Sequence, residues 1–332
     1  MSSPARIRIW ALCAAALVAA GVVALANCAR IESGIYRAGV GLERGRAGLE
    51  AGWIDTGEEH LAFVRRTGTG PQVVLIHGFA SNKDIWLQMI QALPDDFGVI
   101  ALDLPGHGDS SREPEREYAV EDLARAVMRA LESLDAGPVH LAGSSLGGAV
   151  AAVVTAERPD LVHSLGLFNP AGAPGAEASV LRDTDSAEDH PLIIRDREDF
   201  DEMVALVFHQ PPPMPWPVAR VLTRYHAERA ELHLRIWTDL WEDRRPAAPL
   251  LERITVPVLL VWGERDRVLD QASVDFFRDH VRDLQVVILP ESGHTPILEE
   301  PGTSAGHYAG FVRAVAMART LGGSGGAEPQ DR

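Results

Sequence analysis

The chain has 332 residues, 46% hydrophobic and 23% charged, enough apolar material for one large domain or two modest ones, which excludes a disordered chain. With 31 Lys+Arg against 47 Asp+Glu the formal net charge is −16, so a polyanion meets repulsion over most of the surface and no nucleic-acid partner is expected. Both cysteines, Cys13 and Cys28, fall at the N-terminal end, which removes a disulfide framework, a Cys-ligated zinc and a thiol nucleophile from the rest of the chain.

At that end, Arg6 and Arg8 precede an uncharged run from Ile9 to Ala26, and Arg30 closes it. A charged n-region before an apolar run is the pattern of a signal peptide or membrane anchor, so residues 1–30 are set apart from the fold. Three fates stay open: cleavage after Ala26 at Ala24-Leu25-Ala26, lipidation of Cys28 at a sequence resembling a lipoprotein box, or an uncut anchor. Each predicts membrane association through the N-terminus or export. Lys83 is the only lysine in an Arg- and Ala-rich chain, the composition of a GC-rich bacterial genome. Residues 31–48, rich in Gly and Arg, read as a linker.

From residue 49 the pattern changes. Trp53-Ile54 and His60 to Val64 look like short strands. Val73 to Ile76, Val99 to Leu102, Val139 to Ala142, Leu165 to Phe168, Val256 to Val261 and Val286 to Leu289 are β-branched or apolar runs of the kind buried on both faces. Helical spacing separates most of them, over Asp84–Leu93, Val120–Leu134, Leu146–Glu157, Ser273–Val281 and Ser304–Arg319. Strands alternating with helices predict an α/β fold with a mostly parallel, doubly wound sheet, its core in 49–170 and 255–320. The interval 171–254 has no strand run. It carries helical patterns over Phe200–Val207 and Ala219–Trp241 around a loop, Pro211 to Pro217, and reads as a helical cap or lid inserted after the sixth strand. Residues 321–332 are Gly-rich and polar, a disordered tail.

Gly143-Ser144-Ser145-Leu146-Gly147 follows a strand and opens a helix. A serine on a sharp strand-to-helix turn framed by glycines is a nucleophile candidate, and its hydroxyl needs a base. His294 lies just past the last strand run, and Asp266 just past the run before it. The order Ser145, Asp266, His294 puts nucleophile, orienting acid and base at C-terminal strand ends, where open α/β sheets place their sites. His77-Gly78-Phe79 follows another strand, so the Phe79 and Leu146 amides are candidates for an oxyanion hole.

His107 and His77 read as structural, and His209, His226 and His233 as cap or surface residues. His226 and His233 share a helix spacing, but no third ligand suggests a metal. Glu264 and Asp270 read as solvated, with Asp270 the reserve candidate for the acid. Trp216, Trp237 and Trp241, with Phe208 and Met214, suit either an acyl pocket or ordinary cap packing. The chemistry requires no metal or organic cofactor.

With those residues in view, the chain resembles the serine hydrolases of the α/β-hydrolase fold over about Trp53 to Ala316. The segments His77 to Trp86, Asp103 to Gly108 and Trp262 to Asp270 are most similar to membrane-anchored monoacylglycerol lipases of animals and to bacterial lipases and esterases with comparable N-terminal anchors. The resemblance implies Ser145, Asp266 and His294 as triad, Phe79 and Leu146 as oxyanion donors, and an acyl-ester or acylglycerol substrate. Some members carry the acid after the sixth strand, a place held here by Asn169. A serine in the nucleophile position excludes the aspartate-nucleophile dehalogenases and epoxide hydrolases. Two alternatives remain beside ester cleavage: a carbon–carbon bond hydrolase using the same triad, and a non-catalytic ligand receptor on the same scaffold.

Overall fold

The computed structural model describes residues 28–113, 116–134, 137–173, 190–242 and 247–323. The apolar run Ile9 to Ala26 lies outside them, and among the described residues no helix is long and apolar enough to cross a membrane. The elements in chain order are a helix over 28–46 (α1), then strands β1 (Glu50–Asp55), β2 (His60–Arg66) and β3 (Gln72–Ile76). Next come α2 (Leu87–Ala92), β4 (Gly98–Leu102), α3 (Val120–Ser133), β5 (Val139–Ser144), α4 (Leu146–Glu157) and β6 (Val162–Phe168). Four helices follow before the sheet resumes, α5 (Arg197–Val207), α6 (Val218–Ala227), α7 (Ala230–Glu242) and α8 (Ala247–Leu251). The chain closes with β7 (Val258–Gly263), α9 (Ala272–His280), β8 (Leu284–Leu289), α10 (Pro296–Glu299) and α11 (Pro301–Gly323).

The strands form one eight-stranded sheet in the order β1-β2-β4-β3-β5-β6-β7-β8. β1 and β2 join antiparallel, and every pairing from β4–β3 to β7–β8 is parallel. The period of two along each strand divides the core between two faces. Val74 and Ile76 point with Val258, Leu260 and Trp262 into a layer shared with α3, α4 and α9. Val73, Leu75, Leu259 and Val261 point the other way, into a layer with α2, α10 and α11. Both faces of the central strands are covered, which is why they read as continuous apolar runs.

Three expectations need correction. Residues 31–48 are not a linker: 28–46 is helical, despite Gly34, Gly39, Gly41 and Gly45 within it. Each glycine disfavours a helix by about 1 kcal/mol, so the local signal is erased and contacts far along the chain hold the element. The pattern over Ala219–Trp241 is two helices, separated by a turn at Glu228 and Arg229, where the Arg229 guanidinium stacks 3.8 Å over the Tyr225 ring. The last helix runs on through residues 321–323, so the first three residues of the expected tail belong to α11, and residues 324–332 lie outside the described ones.

Candidate active site

Six parallel-strand ends converge on one edge of the sheet. β3 delivers His77 to Phe79, β4 delivers Asp103, β5 Ser145, β6 Asn169, β7 Asp266 and β8 His294. The turn after β5 is the tightest. Ser145 has φ 53° and ψ −121°, a region that a residue with a Cβ enters only under strain. The glycines on either side make the turn possible. A Cβ on Gly143 would stand 2.0 Å from the Gly147 carbonyl oxygen, and one on Gly147 would stand 2.3 Å from that of Ile76. Strand and helix therefore touch backbone to backbone, and the serine is pushed out at the apex.

Ser145 Oγ lies 3.0 Å from His294 Nε2. The other ring nitrogen, Nδ1, lies 2.8 Å from Asp266 Oδ2. The Asp266 side chain is 1% exposed and that of His294 7%, so this chain of hydrogen bonds is shielded by protein. Asp266 Oδ1 accepts the backbone N–H groups of Val268 at 2.8 Å and Leu269 at 3.0 Å. Its Oδ2 also accepts from Asn169 Nδ2 at 2.6 Å. Those donors aim the carboxylate at the imidazole, which places the proton of a neutral ring on Nδ1 and leaves Nε2 to accept from the serine.

Asn169 is the residue that sequence reasoning missed. In the sequence it is only a position that cannot supply the acid. In the structure, with φ 41°, its Oδ1 accepts the Gly263 N–H at 3.0 Å while its amide holds Asp266. An amide here bridges two strand ends, which a second carboxylate beside Asp266 would not do without charge repulsion.

His294 is held from the cap side as well. Its N–H donates to the Val207 carbonyl at the end of α5, at 2.8 Å. Glu299 accepts from Gly293 N–H on one oxygen and from His209 and Gln210 N–H on the other. The loop carrying the histidine is thus tied to the start of the proline loop.

The segment His77-Gly78-Phe79 passes directly against the serine, since a Cβ on Gly78 would be 3.1 Å from Ser145 Cβ. His77 has the bracing role expected of it. Its Nδ1 donates to the Gly78 carbonyl at 2.7 Å and its Nε2 accepts the Leu104 N–H at 3.0 Å. Burial pushes its pKa down to about 4. His107 donates from Nδ1 to the Pro105 carbonyl at 2.9 Å, and burial pushes it down to about 3. His233, expected at a surface or lid position, is buried and stacks on His107 with ring centroids 6.3 Å apart. His226 follows at 5.6 Å from His233. Among the described residues no group of three or more His, Cys, Asp or Glu is arranged to hold a metal ion.

Lys83 is buried between Asp103 (2.6 Å) and Asp109 (2.8 Å). Asp103 also accepts the Lys83 and Asp109 N–H groups, so one buried ion pair locks the loop after β3 to the turn after β4. Glu264 and Asp270 are exposed. Asp270 Oδ1 accepts the Ala272 N–H at the start of α9, and the carboxylate on His294 Nδ1 is that of Asp266.

Ser145 and His294 open into a cavity of about 1120 Å³. Phe79, Met203, Val207, Phe208, Met214 and Leu222 give it apolar walls, and α1 supplies a further side. Of the two roles open to them, pocket lining or cap packing, Phe208 and Met214 take the first. Trp216 and Trp237 do not: Trp216 is 64% exposed, and Trp237 packs edge-on to Phe79 with ring centroids 5.5 Å apart.

Comparison with known proteins agrees with this architecture. The chain is 27% identical to the monoacylglycerol lipase ABHD6 of Bos taurus over 265 residues, covering 76% of this chain and 79% of that protein. It is 27% identical to Lipase 1 of Psychrobacter immobilis over 305 residues, covering 90% and 96%. Among solved structures, a membrane phospholipase A described as a bacterial virulence factor superposes with a TM-score of 0.83 at 34% identity, covering 94% of this chain and 99% of that one. Residues 73–305, which span the sheet from β3 onward and hold Ser145, Asp266 and His294, match the alpha/beta hydrolase family, and the chain belongs to that family.

Proposed function

We propose that the chain is a serine hydrolase that cleaves carboxylic esters of medium or long acyl chains, acylglycerols or related lipid esters among them. The observation that carries this reading is the hydrogen-bonded series Ser145–His294–Asp266 at the floor of a large apolar cavity. The lipase relatives and the lipase-like architecture support the ester class.

In this mechanism the substrate acyl chain lies along the Met203, Val207 and Phe208 wall, which removes apolar surface from water. Ser145 Oγ attacks the ester carbonyl carbon while its proton passes to His294 Nε2. Asp266 stabilises the imidazolium, and the amides of Phe79 and Leu146 receive the oxyanion, each donor worth about 3–4 kcal/mol. Collapse breaks the ester C–O bond, and His294 returns the proton to the leaving alcohol. Water then gives a proton to His294 and attacks the acyl-serine; as the acyl C–Oγ bond breaks, His294 returns that proton to Ser145 Oγ and the carboxylic acid is released. All chemistry is acyl transfer through one nucleophile, with protons moving only at Nε2.

The helices between β6 and β7 act as a cap over the cavity, with residues 171–254 as its sequence limits. The apolar run Ile9 to Ala26, immediately before α1, holds the protein at a bacterial membrane or directs its export, through cleavage after Ala26, lipidation at Cys28 or an uncut anchor. Cys28, exposed and free, opens α1.

The test is turnover of 4-nitrophenyl esters from acetate to palmitate by the full chain, beside Ser145→Ala. A maximum at eight or more carbons that the substitution abolishes is the expected result. Activity confined to acetate and butyrate would refute the long-chain preference. Activity surviving Ser145→Ala would refute the mechanism.

A further inference from the structure

We infer that α1 is part of the substrate site, a strut between the cap and the oxyanion loop whose ion pairs at residues 32 and 44 set the longest acyl chain the cavity accepts. The inference rests on the ester-hydrolase reading above and adds to it a function for a segment that precedes the hydrolase core.

Two observations carry it. The first is the cavity wall. Ser33, Tyr36, Arg37, Val40, Gly41 and Arg44 all line the cavity that Ser145 and His294 enter. Their spacing of three and four residues is one continuous face of a helix. A substrate filling the cavity touches that face.

The second observation is how the helix is held. Glu32 has only 5% of its side chain exposed, and its two oxygens divide between Arg220 Nη1 at 3.0 Å and Arg224 Nη1 at 2.8 Å. Arg224 also donates to Ser33 Oγ and to the Ala29 carbonyl. Both arginines belong to α6, a cap helix. Twelve residues on, about 18 Å along the helix axis, Arg44 donates from Nε and Nη2 to the two oxygens of Asp84, at 2.7 and 2.6 Å. Asp84 adjoins Lys83, the residue locked between Asp103 and Asp109, at the end of the loop that carries Phe79. One end of α1 therefore holds the cap, and the other holds the core beside the oxyanion loop. Bidentate and doubly paired guanidinium contacts fix geometry better than single ones, and Arg224 before Arg220 holds the Glu32 carboxyl below the usual carboxylate range.

Such a strut acts on selectivity. Short esters need only the floor of the cavity around Ser145, whereas long chains need the walls held at a set separation. The experiment compares kcat/KM for 4-nitrophenyl decanoate and acetate in the full chain solubilised in detergent, with thermal unfolding recorded for each variant. Glu32→Ala is expected to lower the decanoate-to-acetate ratio at least ten-fold, mostly through KM. The triple reversal Glu32→Arg, Arg220→Glu, Arg224→Glu is expected to recover at least half of that loss. Val40→Phe tests the wall without touching either ion pair: it fills cavity space and is expected to shift the optimum to shorter chains while the unfolding temperature holds. Should Glu32→Ala fail to fold, Val40→Phe decides alone. A ratio within two-fold of the parent in either folded variant, or equal losses on both esters, would overturn the inference. Ser145→Ala separates the two readings. If it leaves turnover intact, the ester-hydrolase assignment fails, whereas a changed chain-length profile in the α1 variants with an inactive Ser145→Ala supports both.

Discussion

The strand-end site and the cap-side wall of the cavity are built in opposite ways. Around Ser145 the backbone itself does the positioning: glycines at 143 and 147 bring helix and strand to within a Cβ of each other, and Asp266 meets two N–H donors of its own loop on one oxygen and Asn169 and His294, from the neighbouring strand ends, on the other. The cap wall is held by side chains from distant parts of the sequence, Glu32 to Arg224 and Arg44 to Asp84, with ring contacts among His107, His233, Phe79 and Trp237. The first region tolerates almost no volume change, and the second can be adjusted one ion pair at a time. In the mechanism proposed above the acyl-transfer chemistry belongs to the rigid half, and the inferred selection by chain length belongs to the adjustable half.

The largest expected effect tests the rigid half. Ser145→Ala should cost about 10⁴-fold or more in kcat with thermal stability unchanged, because the nucleophile is lost and the frame is kept. A loss under ten-fold in single-turnover assays would break the assignment. Next, Lys83→Met should destabilise the fold by about 3–5 kcal/mol, since it leaves the buried Asp103 carboxylate without its cation. Urea unfolding would show it as a lower midpoint at constant slope. Asn169→Ala should cost up to about 10²-fold in kcat by loosening Asp266 and hence the imidazole, and should also lower the unfolding temperature, because it leaves the buried Gly263 N–H unpaired at a cost of about 1–3 kcal/mol. A lower unfolding temperature with kcat unchanged would mean that Asn169 braces the strands and nothing more.

The smallest effect is that of one buried histidine among several. His77, His107 and His190 have folded pKa values pushed down by burial to about 4, 3 and 4, from an ordinary 6.5, and burial lowers His233 as well. Each is neutral in the fold and binds a proton on unfolding, so the unfolded chain carries more protons between the two values. Stability is therefore full above about pH 6.5 and falls as pH drops toward 4. Each group adds up to about 1.4 kcal/mol per pH unit in that window. Unfolding followed from pH 7 to pH 4.5 should show the decline, and His233→Phe should lessen its slope by one group's share. A pH-independent midpoint would sever the cap from the histidine cluster.

How much of this was legible along the chain differs between the two halves for a physical reason. A parallel strand buried on both faces must be apolar throughout, and a serine at a strand-to-helix turn needs glycines beside it. Val73 to Ile76, Gly143 to Gly147 and the strand-end positions of Asp266 and His294 therefore carried the sheet, the insertion after β6 and the candidate triad in their local pattern. Nothing local distinguishes Asn169 from a loop residue, because its role depends on β6 lying beside β7. The four glycines of 28–46 conceal a helix, since its stability comes from Arg220, Arg224 and Asp84, which reach it only after the chain has folded. Tryptophans near a cap read equally as pocket or packing, and only burial separates exposed Trp216 from Phe79-bound Trp237. Sequence determined the sheet, the order of the catalytic candidates and the class of chemistry, because backbone sterics and burial act over a few residues. Tertiary structure alone decided which side chains aim the acid, what walls the cavity and how the cap is tied down, because those depend on charges and rings that meet across nearly two hundred residues of chain.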